Sequence, residues 1–155
     1  MTKLQVFNFL RLFALQSKVI IKFTSESKLG EFYPCQVSET EENMYLLELS
    51  RKVFMYNKDQ IYLRALLLHE IGHILVSPLK IKSTTIEEYA AHNLAINITK
   101  KRKYSKLHKE LRAMLESWRI YTWNEDNGAF RRYIQASKIT RQHFLPIRLS
   151  YYELV

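Results

Sequence analysis

The sequence predicts an α+β fold in one domain, and three observations carry that expectation. Short β-branched and aromatic runs cluster before residue 50, whereas from Asp59 onward apolar residues recur at helical spacing. Glycine and proline number only three each and no segment repeats, so neither a linker nor a solenoid is expected. At 155 residues and 47% hydrophobic, the chain can bury about two-thirds of its unfolded surface without disulfide staples. The expected layout is a helix and small three-stranded sheet over residues 1–57, a helix pair over 58–99, and a basic helical part over 100–155.

Residues 3–16 read as the first helix. Their apolar run resembles a signal peptide at first sight, but Arg11 interrupts it and no small-x-small cleavage site follows. A spanning helix needs about 20 apolar residues. The expectation is a soluble, cytoplasmic protein without a membrane partner. Residues 19–24 and 32–37 read as two strands of a hairpin, separated by a polar stretch and Gly30, and residues 44–49 as a third strand. Cys35 has no second cysteine to pair with, and its expected role is that of a small buried apolar side chain.

Asp59 is placed to cap a helix whose apolar positions run from Ile61 to Leu75, with Pro78 closing it. Thr84 or Thr85, followed by Glu87 and Glu88, suggests a capping box that opens the next helix, with Ala90, Ala91, Leu94, Ala95 and Ile98 turned inward. The basic run 100–103 marks a break or exposed turn. Further helices are expected over 106–121 and 129–139, and 145–155 is too mixed to assign.

His69-Glu70-Ile71-Gly72-His73 is the stretch whose chemistry follows from its spacing. Residues four apart on a helix stand one above the other, so two imidazoles can converge on one cation. Glu70 is rotated off that line, within reach of a metal-bound water. A random shuffle of this composition gives HExxH about 1% of the time. The alternative is a pair of hydrogen-bonded core histidines, but the flanking residues are so apolar that a polar side chain here needs a metal or a partner.

A hydrolytic zinc ion takes three protein ligands and keeps a fourth position open. Glu88, 15 residues after His73, is the best-placed third donor, because a turn through Pro78 to Thr85 lets the second helix fold back on the first. Small side chains at Ala90, Ala91 and Ala95 permit close approach. Glu87 is the neighbouring alternative, or else a first-turn carboxylate that complements the helix dipole. His92, four residues after Glu88, is a candidate for orienting a ligand or for ligating, or else a buried hydrogen-bonded ring.

At this point the residues resemble a family. His69 to Leu75, followed by Glu88-Tyr89-Ala90-Ala91-His92-Asn93-Leu94-Ala95, is similar to the ImmA/IrrE metallopeptidases, gluzincin-type proteases with HELGH followed by E-x-x-A-N-x-F-A. The similarity covers roughly residues 40–98. It implies a minimal zincin-like domain with one zinc ion per chain, His69, His73 and Glu88 as ligands, and Glu70 as general base. His92 departs from the family's usual Asn or Asp at a position expected to orient a zinc-bound histidine. The strand 44–49 resembles the family's edge strand, which pairs with an extended substrate. The family also implies narrow specificity, often for a transcriptional repressor, and frequent carriage on phages or mobile elements.

The mechanism expected is a zinc-lowered water pKa, from 15.7 to about 7, with Glu70 taking the proton. His143, Tyr121, Tyr133, Tyr151 and Tyr152 are candidates for stabilising the oxyanion, and the sequence does not choose among them. Of the net charge of +9, +8 falls after residue 98, which favours an acidic partner or a solvated basic surface. A rival class is therefore a catalytically weak module that binds nucleic acid or an acidic protein. Lys100 to Lys103 and Arg112, Arg119, Arg131, Arg132 and Arg141 would supply its charge, interleaved with aromatics such as Tyr104 and Trp118. A purely structural zinc site is a third reading, disfavoured because such sites usually close all four positions with Cys and His.

Overall fold

The computed structural model describes residues 1–25, 29, 34–123 and 128–144, and these form an α+β protein with an N-terminal helix, a three-stranded mixed sheet and several helices. Contacts divide the chain into two compact units, one built on Met1–Glu70 and one on Ile71–Arg148. The division falls inside a single continuous helix.

In the first unit, α1 (Lys3–Arg11) opens on a capping box between Thr2 and Gln5, which satisfies two otherwise unpaired backbone donors. The helix stops at Arg11 rather than 16. Ala14 takes a left-handed conformation (φ 55°), and the Leu15 N–H reaches back to the Leu10 carbonyl at 3.2 Å. Val6, Phe9 and Leu10 are its buried face.

The sheet consists of β1 (Val19–Thr24), β2 (Cys35–Glu41) and β3 (Met44–Ser50) in the order β1-β3-β2. The expected hairpin between the first two strands is not formed. β2 pairs antiparallel with β3 across a two-residue Glu42-Asn43 turn, in which Asn43 takes a positive φ (62°). β1 lies parallel to the other side of β3. β3 is thus the central strand and not an edge, which suits its nearly continuous apolar sequence. Tyr45, Leu47 and Leu49 fill the core from one face of it.

Ser50 then caps a helix that the sequence pattern did not reveal, α2 (Arg51–Tyr56), by accepting from the Val53 N–H at 3.2 Å. The amino group of Met1 bonds to the Phe54 carbonyl, tying the chain's start to this helix. Asp59 caps α3 (Gln60–Val76) as expected: one carboxylate oxygen accepts from both Ile61 and Tyr62 at 3.1 Å. α3 runs into a short 3-10 turn, Ser77–Leu79, where Pro78 lies and Lys80 (φ 49°) ends the helical path. None of the helices among the described residues is long and apolar enough to cross a membrane.

In the second unit, α4 (Thr84–Lys101) is capped by Ser83 and not by Thr84 or Thr85: the Ser83 hydroxyl accepts from Ile86, so the expected capping box does not form. Ala90, Ala91, Leu94, Ala95 and Ile98 are buried, as their spacing predicts. The helix breaks at the basic run, with Lys103 at φ 57° and the Tyr104 N–H donating to the Thr99 carbonyl at 2.9 Å. α5 (Ser105–Trp123) and α6 (Ala129–Phe144) follow and pack on α4. Residues 145–155 lie outside the described part.

Candidate metal centre

α3 is apolar on almost every side. Leu63, Ala65, Leu66, Leu67, Leu68, Ile71, Ile74 and Val76 are all buried, which is why a helix carrying two histidines and a glutamate is held in place along its length. His69 and Glu70 are themselves each only 7% exposed. One helical turn separates His69 from His73, so both imidazoles leave the same side of the helix.

Gly72 sets how close α4 can come. A Cβ on Gly72 would lie 2.8 Å from the Ala91 carbonyl carbon and nearer still to its oxygen. Only glycine leaves room for that backbone. The alanines of α4 were expected to allow close approach, but the smallest residue in the contact is the one inside the histidine motif itself.

That approach brings two carboxylates to His73. Its Nε2 lies 3.3 Å from Glu88 Oε2, while its Nδ1 lies 3.2 Å from Glu87 Oε1. A tetrahedral ion with ligands at about 2.0–2.2 Å spaces neighbouring donor atoms roughly 3.3–3.6 Å apart. The Nε2 to Oε2 separation has that span. One ligand atom from each of His69, His73 and Glu88 can be chosen so that all lie within 4.8 Å of one another, and the group could hold a metal ion.

The two glutamates face different nitrogens of the His73 ring. Were Nε2 to hold an ion, Nδ1 would carry the ring proton and Glu87 would be placed to accept it, an arrangement that would fix tautomer and ring orientation. Glu87 thus does more than complement the helix dipole. Its position beside Glu88 was visible, but which carboxylate met which ring nitrogen depends on the rotation of α4.

His92 is fully buried, and its Nε2 lies 2.7 Å from the Leu111 carbonyl on α5. This contact matches the buried hydrogen-bonded ring that was the alternative to a role at the metal. Tyr133, one of the oxyanion candidates, stacks edge-on against Tyr89 with centroids 5.6 Å apart. The side chains of Tyr121 and His143, and residues Tyr151 and Tyr152, lie outside the described part. In the basic run, Arg102 donates to the Tyr104 hydroxyl at 3.4 Å and sits 5.9 Å from its ring centroid.

Cys35 is buried as expected but is more than packing. Its thiol donates to Glu70 Oε1 at 3.6 Å. Burial, reinforced by the Glu70 charge and by this hydrogen bond, pushes the thiol well above its ordinary pKa, so it stays protonated. Nothing in the sequence marks the contact, because 35 residues separate the pair. Compared with known protein families, curated proteins and solved structures, the chain matches none.

Proposed function

We propose that this chain is a zinc-dependent metallopeptidase of the zincin type, as its motif resemblance to the ImmA/IrrE family suggests, acting on one or a few regulatory proteins such as a repressor. The observation that carries the reading is the convergence of His69, His73 and Glu88 with Glu70 adjoining His69 on the same helix. Two imidazoles and a carboxylate are a donor set suited to hydrolytic zinc. Three donors among the described residues, with 44% of the Glu88 side chain exposed, favour an ion open to substrate over a closed structural site. A zinc ion there, when bound, would acidify a water molecule and polarise a peptide carbonyl.

The protein's own residues do the rest. Glu70 takes a proton from the attacking water at a carboxylate oxygen and returns it to the amide nitrogen as the C–N bond breaks. Its burial keeps bulk water from competing for that carboxylate. Glu87 holds the His73 ring through Nδ1.

The strand beside Glu70 is β2, through Cys35, and β2 has one side unpaired with any strand among the described residues. We therefore assign the pairing of an extended substrate to β2. β3, the strand that the family resemblance pointed to, already has a neighbour on each side.

The reading is tested by incubating purified protein, loaded with zinc, with candidate proteins encoded near it. Cleavage by the wild type that disappears in Glu70→Gln, with zinc content unchanged, is the expected result. Cleavage that persists in Glu70→Gln would assign the activity to a contaminant. Absence of cleavage, together with tight salt-sensitive binding of nucleic acid, would favour the binding module.

A further inference from the structure

We propose that Cys35 is a positioning residue for Glu70: its thiol donates to Oε1 and fixes the orientation in which the carboxylate exchanges a proton. This inference rests on the reading of Glu70 as general base. Cys35 is the first residue of β2 and lies opposite Leu49 of β3, so its backbone is held by the sheet. Glu70 is held by α3. The 3.6 Å contact joins the two frames, and both partners are buried, Cys35 being 5% exposed.

The chemistry of the donor explains why a thiol suits this place. A carboxylate that works as a base must be oriented without losing its basicity, and a strong donor on it would stabilise the anion and weaken the base. An S–H group is a weak donor. It can set the rotamer of the side chain while leaving the carboxylate able to accept a proton. Because the thiol is protonated across the physiological range, the donor is always present. Burial and protonation also argue against Cys35 as a nucleophile or a redox sensor, since both need an accessible thiolate.

Two measurements test the proposal, and the first does not depend on catalysis. Cys35 is the sole cysteine, so the infrared S–H stretch of the full-length protein belongs to it alone. The band is expected at the lower frequency of a hydrogen-bonded thiol and should move toward the free-thiol position in Glu70→Ala. A band at the free position that ignores Glu70→Ala would overturn the proposal, whatever the protein cleaves.

The second measurement uses Cys35→Val, which keeps apolar volume but removes the donor, and Cys35→Ser, which keeps a donor. Against the protein cleaved in the incubations above, Cys35→Val should lower kcat on the order of tenfold at nearly unchanged KM, and Cys35→Ser should recover part of it, because a hydroxyl orients the carboxylate but, as a stronger donor, leaves it a weaker base. Equal kcat for Cys35→Val and wild type would show that the contact does not position the base. If the wild type cleaves nothing, the protease reading fails while the infrared result still decides the contact.

Discussion

His69 and Glu70 stand on a stretch of helix buried on nearly every side, whereas Glu87 and Glu88 stand near the start of α4 with a third or more of each side chain in solvent. The two halves of the candidate centre are therefore held by different forces. Around His69 and Glu70 it is packing: Leu66, Leu67, Leu68 and Ile71 leave the helix little freedom whether or not an ion is present. Around the glutamates it is electrostatics, from the α4 N-terminus and the ring of His73. Substitutions in the first half should disturb the fold and the site together, and substitutions in the second should affect metal affinity with little cost in stability.

The largest effect is expected where the two kinds of holding meet, at Gly72. In Gly72→Ala the new methyl group meets the Ala91 backbone, which cannot rotate away as a side chain would. Overpacking of this kind costs about 1–3 kcal/mol. The displaced α4 should also carry Glu88 off the ion. Urea denaturation and zinc titration read the two consequences, and wild-type behaviour in both would remove Gly72 from the account.

Next in size is the difference between the two glutamates. On the proposed reading Glu88→Ala would remove a ligand, while Glu87→Ala would remove the group that orients one and should weaken zinc binding about 10–100-fold. A competition titration with a chelator separates them. If Glu87→Ala loses zinc as completely as Glu88→Ala, Glu87 is itself a ligand.

Much of the candidate site was legible in the sequence because it depends on local geometry. Four-residue spacing on a helix places His69 and His73 together whatever the rest of the chain does. The Asp59 cap and the buried alanines of α4 are local in the same sense. What depended on long-range pairing was not legible. Residues 19–24 read correctly as extended and the expected strand 32–37 overlaps β2 at 35–37, residues 32 and 33 lying outside the described part, but the alternation of side chains does not say which strand is the neighbour. The cue lay instead in the Glu42-Asn43 turn, which joins β2 to β3 directly. The six residues of α2 hold too little periodicity to mark a helix, and Ser83 caps α4 where Thr84 and Thr85 offer the same chemistry one and two residues later. The Cys35 contact has no local signal at all.

A smaller effect concerns pH. The Cys35 thiol titrates higher in the folded protein than in the unfolded chain, where it lies near 8.5. Below that pH both states hold the proton and the contribution to stability is complete. As pH rises above it, the unfolded state loses its proton first, so stability falls on the order of 1 kcal/mol per pH unit until the folded thiol also titrates. Denaturation curves between pH 8 and 10 should show this slope in the wild type and a shallower one in Cys35→Ser. Parallel slopes would mean that the thiol is not held protonated by the fold.

The smallest effect is expected at the ion pair between the outer strand β1 and β3. Lys22 Nζ and Glu48 lie 3.8 Å apart with the lysine largely exposed, so Lys22→Ala should change stability by less than about 1 kcal/mol and leave zinc affinity unaltered. A larger loss would indicate that β1 depends on that pair for its register.

The most direct test of the central claim is metal content, measured on purified wild type and on variants shown by circular dichroism to be folded. His69, His73 and Glu88 as ligands, with Glu70 beside them, predict one zinc per chain in the wild type and in Glu70→Gln, and little or none in His69→Ala, His73→Ala and Glu88→Ala. A folded wild type that takes up no zinc, even at excess metal and neutral pH, would contradict the account and leave His73 as an imidazole bridging Glu87 and Glu88.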